Sequence, residues 1–454
     1  MRMRIRSLLL MLPIVVTSWL AGTSPSLAVS SKFKDVCASG CTYSSVQDAI
    51  DAISDSSSTN VYTIFVDAGV LTTSTGITTN GKSYINFIGR GMGASIVQAT
   101  AGWFGASRNL LDLSDSTHIV VRGLTLDAKT NDDGSNSTSN NYTAVLTDDA
   151  DAILFDSCEV MASTYAFWEA SNSSGHHIEL RNSVVRSAYY GLYLQTPASW
   201  HIYSSDIRAI RTGTGESVTT AAPAGIQISG GLDTKVTVWG SHVHAESSYA
   251  GMTGTGMSAV RGASVGAQFI AVGSTLHAKL LVNLDSSHNW FGIAALTLES
   301  FTSSPLFHVV GSDLLYETPT NLSYGRPCAI AYRGTGISTA TFNLDNSHMV
   351  DLGGSGGGAR SDILNTYPIE QTYQPRFRQA AVHSTQNPQK GTVTLSSGSS
   401  TVSLSPTQSD KYYTVLLTSS TQETLSVTSK STTQFTISSS NGSSTAVVDY
   451  IVVR

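Results

Sequence analysis

A six-residue pattern recurs through the middle of the chain and limits its fold more than any other feature. Each copy runs small residue, small residue, any residue, aliphatic residue, any residue, and usually a small residue. Copies open at Ser157, Asn182, Ser204, Gly240, Gly273, Gly311 and Asn346, with an earlier one at Gly123. Each follows a short alternating run such as His177-Ile178-Glu179-Leu180 or Lys235-Val236-Thr237-Val238, the signature of a strand. The shortest spacing, Asn182 to Ser204, is 22 residues. Three strands of about five residues with tight turns need about that length, which is one rung of a parallel solenoid. Longer spacings are the same rung with a surface loop inserted.

Stacking explains the pattern physically. By the two-residue period of a strand, positions two, four and six share one side and are small, aliphatic and small, whereas three and five face the other way and vary. A single rung buries little, but a pile of rungs buries a continuous column and pairs every strand. An antiparallel sandwich is the alternative, and it requires hairpin turns between adjacent strands that this region lacks. Composition agrees: only 13% of the 454 residues are charged, against about 25% in typical domains, and 39 are glycine. The net charge of -6 offers no broad cationic field, which argues against a nucleic-acid partner.

The ends differ from the middle. Arg2, Arg4 and Arg6 precede an apolar run from Leu8 to Leu20 and a small-residue site at Ser26-Leu27-Ala28, the pattern of a signal peptide over 1–28. The mature chain is expected to start near Val29 and to be secreted or held at the cell surface. No later stretch reaches the roughly 20 apolar residues of a membrane span. Cys37 and Cys41 flank a three-residue loop and are placed to pair in an oxidising compartment, whereas Cys158 stands where other copies carry serine and reads as a small core residue. Ser45, with apolar residues at 46, 49, 50 and 53 behind it, predicts a short helix that caps the first rung.

From Gly353 the texture changes to a glycine run followed by Pro368, Pro375 and Pro388, and then to six short β-type runs between Thr392 and Val453. The expected fold is all-β: a right-handed parallel β-helix over 29–352 with an N-terminal capping helix, a linker over 353–390, and a small sandwich-like module over 391–454. That module is a candidate for attachment or for homo-oligomer formation.

Three segments carry a family resemblance: Tyr43 to Ile53, Tyr62-Thr63-Ile64-Phe65-Val66-Asp67-Ala68-Gly69-Val70, and Ile85-Asn86-Phe87-Ile88-Gly89-Arg90-Gly91. Together they resemble the opening of pectin methylesterases and other pectin-lyase-like right-handed β-helix proteins, and the likeness extends over residues 33 to 350. The C-terminal module more loosely resembles the β modules that end some phage tail and bacterial surface proteins. The resemblance implies a polysaccharide ligand and, because lyases of this fold class commonly use it, calcium. It does not carry over the esterase site: the places of the two family aspartates fall on Tyr165 and Tyr190, and a phenol replaces neither a carboxylate nucleophile nor a proton donor that works near neutral pH. The pair Asp148-Asp149, with Asp151, lies on a turn before a strand and reads as an acidic turn rather than as a glycosidase pair.

Stacked rungs place equivalent positions about 4.8 Å apart. The fifth position reads Asp127, Met161, Arg186, Arg208, His244, His277, Leu315 and Val350, and the third adds Asp206 and His242. Such a stripe is suited to hold the carboxylates of an acidic polysaccharide, with Arg186, His242 and His277 as binding residues. Arg208, His244 and Asp206 are the candidates for catalysis should the chain be cut by β-elimination. Tyr165, Tyr190 and Trp168 lie among aromatics crowded into neighbouring rungs and are candidates for stacking on sugar rings. Two readings of function follow: a secreted protein that binds a polysaccharide, with cleavage of uronate-containing chains by β-elimination left open, and a non-catalytic cell-surface, adhesive or tailspike-like structural protein.

Overall fold

The computed structural model describes residues 32–100, 109–128, 142–170, 175–195, 197–212, 222–229, 234–249, 252, 256–262, 267–284, 292–299, 306–319, 326–333, 341–345, 347–352, 361–365, 376–379, 382–385, 389–404, 414–419, 421 and 423–453. The expected signal peptide and the glycine run from Gly353 lie outside these residues.

Nearly all of the described chain up to residue 385 winds through three parallel sheets of 12, 11 and 10 strands. The first sheet starts with Lys32–Val36, the second with Gly69–Thr73 and the third with Ile77–Thr78. The chain visits them in turn, so every sheet pairs one strand per rung with its equivalent in the next, as Asp151–Asp156 pairs with His176–Arg181 and that with Ala198–Tyr203. This register defines the parallel β-helix expected from the repeat. The column between the sheets is apolar and closed: Phe155, Phe167, Trp200, Phe269 and Phe307 are all fully buried.

The first two small positions of the repeat have separate physical causes. The first is the corner between the first and second sheets, where the backbone turns left-handed: φ is 49° at Asn182, 47° at Ser204 and 53° at Gly240. Glycine enters this region freely and asparagine is tolerated there. The second position is a buried ladder of hydroxyls. The Ser205 hydroxyl donates to Tyr203 O at 2.8 Å and accepts the Ser183 N–H at 3.2 Å, and the Ser241 hydroxyl likewise donates to Trp239 O and accepts the Ser205 N–H at 3.0 Å. Ser274, Ser312 and Ser347 extend the same pattern rung by rung. Cys158 occupies this column, buried and unpaired with another cysteine, with its backbone N–H donated to the Ser183 hydroxyl. A small residue is required there because the side chain must bridge two rungs inside a closed wall.

Near the N-terminus Cys37 and Cys41 form a disulfide. The helix runs Val46–Asp51, with the Ser45 hydroxyl accepting the Asp48 N–H and Val46, Ala49 and Ile50 buried. It touches the strands Lys32–Val36, Tyr62–Val66 and Ile77–Thr78.

The irregular linker expected over 353–390 is corrected by three further strands. Ser361–Asn365 joins the third sheet, Arg376–Gln379 the first and Val382–Thr385 the second. Proline and glycine interrupt the sequence between these strands rather than within them, so the ladder continues past the change in texture. The described residues between 389 and 453 form two three-stranded antiparallel sheets. Their apolar residues, among them Leu395, Val402, Phe435, Ile437 and Val448, make one cluster of their own.

Candidate functional site

The second sheet carries the predicted stripe on its outer face. Register places Arg186 beside Arg208, Arg208 beside His244, and His244 beside His277, on four consecutive strands. Asp206 and His242 stand beside one another in the third-position column. The alternation that sends Ile207, Val243 and Leu276 into the core sends these side chains outward.

The outer face is less open, and less free of partners, than a solvated stripe would be. Arg208 donates from Nε to Asp206 Oδ2 at 2.7 Å and a second guanidinium nitrogen closes the same ion pair, so this arginine is neutralised by its own strand. Asp206 also faces His242 Nδ1 at 3.1 Å. Burial alone would raise the Asp206 pKa, but hydrogen bonds from His242 and Arg208 outweigh it and hold the carboxyl at about 2. Arg186 is the more exposed cation, 3.4 Å from Glu159.

His244 is buried although its position in the repeat faces away from the core. Arg208 and His277 flank it from adjacent rungs, and its Nε2 lies 3.2 Å from Glu246 Oε2. His277 Nε2 lies 3.6 Å from Glu317 Oε2, beyond hydrogen-bond reach. Burial first, and then the neighbouring positive groups, push both imidazoles down to about 4, so they are neutral and weakly basic at pH 7. The pKa values disfavour His244 as a general base and Asp206 as a proton donor near neutrality.

Glu246, Lys279 and Glu317 form a further column that the six-residue pattern missed. The signal was present, because the strands His242–Ser247 and Thr275–Leu280 run past the sixth position and leave Glu246 and Lys279 less buried than their neighbours. Asp149 lies in a left-handed turn and faces His176 at 3.5 Å, and Asp151 accepts the His177 N–H at 2.8 Å. These contacts fit the acidic-turn reading.

Around the corner, on the third sheet, five rings gather. Tyr165 has Tyr189, Tyr190, Tyr193 and Trp168 within 5.0 to 5.9 Å between ring centroids. Tyr165 and Tyr190 are buried beneath the other three, which corrects their assignment as exposed stacking surfaces. Trp168, Tyr189 and Tyr193 are half-buried. Trp168 donates to Gln195 Oε1 at 2.9 Å and Gln195 donates to the Tyr193 hydroxyl at 2.8 Å, which fixes the upper rings. Phe167 and Trp200, from the same aromatic-rich stretch, point into the core.

Burial raises the phenol pKa of Tyr165 and Tyr190, with neighbouring tyrosines adding to the shift at both, although Arg261 opposes it at Tyr190. A raised folded-state pKa contributes stability below the unfolded value near 10 and loses it as pH climbs. Spectrophotometric titration at alkaline pH should therefore leave at least two phenols un-ionised in the native protein that titrate in denaturant. Tyr165→Phe should remove one of them from the difference. Full titration of every tyrosine near pH 10 in the folded protein would show that the cluster is open to water.

Among the described residues, one group of three metal-ligating side chains brings its ligand atoms within 4.8 Å of one another: His242, His244 and His277. Calcium takes six to eight oxygen ligands, so the calcium implied by the resemblance does not fit this nitrogen set. No helix among the described residues is long and apolar enough to cross a membrane.

No family model and no curated protein matches the chain. Solved structures do. Pectin methylesterase PemA from Erwinia chrysanthemi is similar at 13% identity over 54% of this chain and 78% of its own, with a TM-score of 0.37. A pectin methylesterase in complex with a hexasaccharide is similar at 12% identity over 75% and 93%, with a TM-score of 0.36. The tailspike gp61 of Pseudomonas phage phi297 is similar at 11% identity over 87% and 67%, with a TM-score of 0.39. Likenesses this distant carry no argument about activity. The three-sheet winding rests on the strand register of this chain itself.

Proposed function

We propose that the protein is exported and binds a polysaccharide along the outer faces of its second and third sheets. One observation carries this reading: a platform of Trp168, Tyr189 and Tyr193, held from below by Tyr165 and Tyr190, lies around the corner from a ladder of arginine, histidine and carboxylate side chains. Sugar rings have apolar faces and polar edges, and such a polymer matches an aromatic platform beside fixed charges. In this reading the helix Val46–Asp51 closes the first rung and the C-terminal sheets serve attachment or self-association.

Binding is better supported than cleavage. Arg208 is engaged by Asp206, and the imidazoles of His244, buried, and His277, half-buried, are weak bases. The protein should be retarded in affinity gels containing pectate, alginate or hyaluronan without releasing unsaturated uronate products. Trp168→Ala and Tyr193→Ala should each weaken retention about tenfold, or ~1.4 kcal/mol. A steady rise in unsaturated product would replace binding with a lyase reading. Unchanged retention in the double variant would mean that the aromatic platform does not touch the glycan.

A further inference from the structure

We propose that His242, His244 and His277 form a binding site for one late first-row divalent cation of the zinc class on the outer face of the second sheet. His242 and His244 stand two residues apart on one strand and so share a face, and register sets His277 beside His244 on the next rung. Their rings lie 4.7 to 6.4 Å apart between centroids, and one ring nitrogen from each falls within 4.8 Å of the others. Nitrogens around tetrahedral zinc stand about 3.3 Å apart, a closure that rotation of these side chains supplies.

The surroundings favour a cation over a chance grouping. Two of the imidazoles have a carboxylate within hydrogen-bond reach of one nitrogen, Asp206 at 3.1 Å from His242 Nδ1 and Glu246 at 3.2 Å from His244 Nε2, while Glu317 stands 3.6 Å from His277 Nε2 as a longer charge partner. When the carboxylate takes that N–H at His242 and His244, the tautomer leaves a lone pair on the other nitrogen, the arrangement that orients histidine toward a metal. The three carboxylates come from three different strands. His244 Nδ1 is buried without a hydrogen-bond partner among the described residues, an uncompensated group that a cation would satisfy. The His242 side chain is 37% exposed and offers a way in. Three protein ligands leave a coordination position for water or a ligand oxygen, and the donor set excludes calcium as the preferred occupant.

Metal-stripped full-length protein, titrated with Zn2+ in the absence of glycan, should bind one ion per chain by calorimetry, with Cu2+ tighter and millimolar Ca2+ without effect. His242→Ala, at the exposed ligand, should weaken Zn2+ at least tenfold while far-ultraviolet circular dichroism is unchanged. Glu246→Gln should weaken it 10- to 100-fold by loosening His244. His118→Ala, at a histidine stacked on Tyr84 far along the chain, should leave affinity unchanged. Absence of saturable one-to-one binding overturns the site, as does equal affinity in His242→Ala and the parent protein. Because no polysaccharide is present, failure here leaves the glycan reading to its own test.

Discussion

Replacing Trp200 by alanine is expected to cost about 3–5 kcal/mol of stability, the range of the most damaging core truncations. Trp200 has no exposed surface, packs edge-on to Phe167 at 5.6 Å, and its strand lies between those bearing Ile178 and Val236. Its indole N–H donates to Glu169 Oε2 at 2.8 Å, and Glu169 is itself fully buried. Alanine therefore opens a large void and takes a donor from a buried carboxyl group, two penalties that act at the same point. Trp200→Phe, which refills part of the void without restoring the donor, should cost about 1–3 kcal/mol. Contacts in a solenoid run only between neighbouring rungs, so hydrogen-exchange protection should fall first in the strands Tyr165–Glu169, His176–Arg181 and Lys235–Trp239. A denaturation midpoint within experimental scatter of the parent would show that the core at this rung is not closed.

Removing two steps of the hydroxyl ladder together, Ser205→Ala with Ser241→Ala, should destabilise by about 2–6 kcal/mol. Each substitution leaves one buried backbone N–H of the preceding rung without its acceptor, at Ser183 and at Ser205 respectively, which costs about 1–3 kcal/mol. Because the two sites share a chain of hydrogen bonds, their effects are expected to depart from simple addition. Ser241→Cys should cost less than Ser241→Ala, since a thiol is already housed in this column at Cys158 and keeps a weak acceptor in place. Equal stabilities for the alanine, cysteine and parent proteins, measured by chemical denaturation, would mean that the ladder adds nothing to stacking.

Much of the winding is legible in the sequence because a parallel stack sets equivalent residues of successive copies side by side. Arg186, Arg208, His244 and His277 align by counting alone, and their strands pair in that register. The reasons behind the small positions are not legible. Smallness at Asn182 and Gly240 serves a left-handed corner, whereas at Ser205 and Ser241 it serves a hydroxyl bridge between rungs. Both appear in sequence as the same preference.

The linker expectation fails because the prolines and glycines fall in the sequence between strands of the repeat, and the repeat continues beyond them. The strands Ser361–Asn365, Arg376–Gln379 and Val382–Thr385 are stabilised by pairing with the preceding rung, a contact that local composition does not encode.

The amino-acid sequence by itself determined that the chain stacks, which side of each strand faces inward and which side chains share a column, since all three follow from a repeat with a two-residue period. Only the tertiary structure decided which of those side chains are free. Arg208 is tied to Asp206, His244 is covered, and Tyr165 and Tyr190 lie beneath Trp168, Tyr189 and Tyr193. Burial and pairing depend on what neighbouring rungs place across a few ångströms of space, on side-chain torsions and on the turn at each corner. Periodicity says which way a residue points, but not what it meets there.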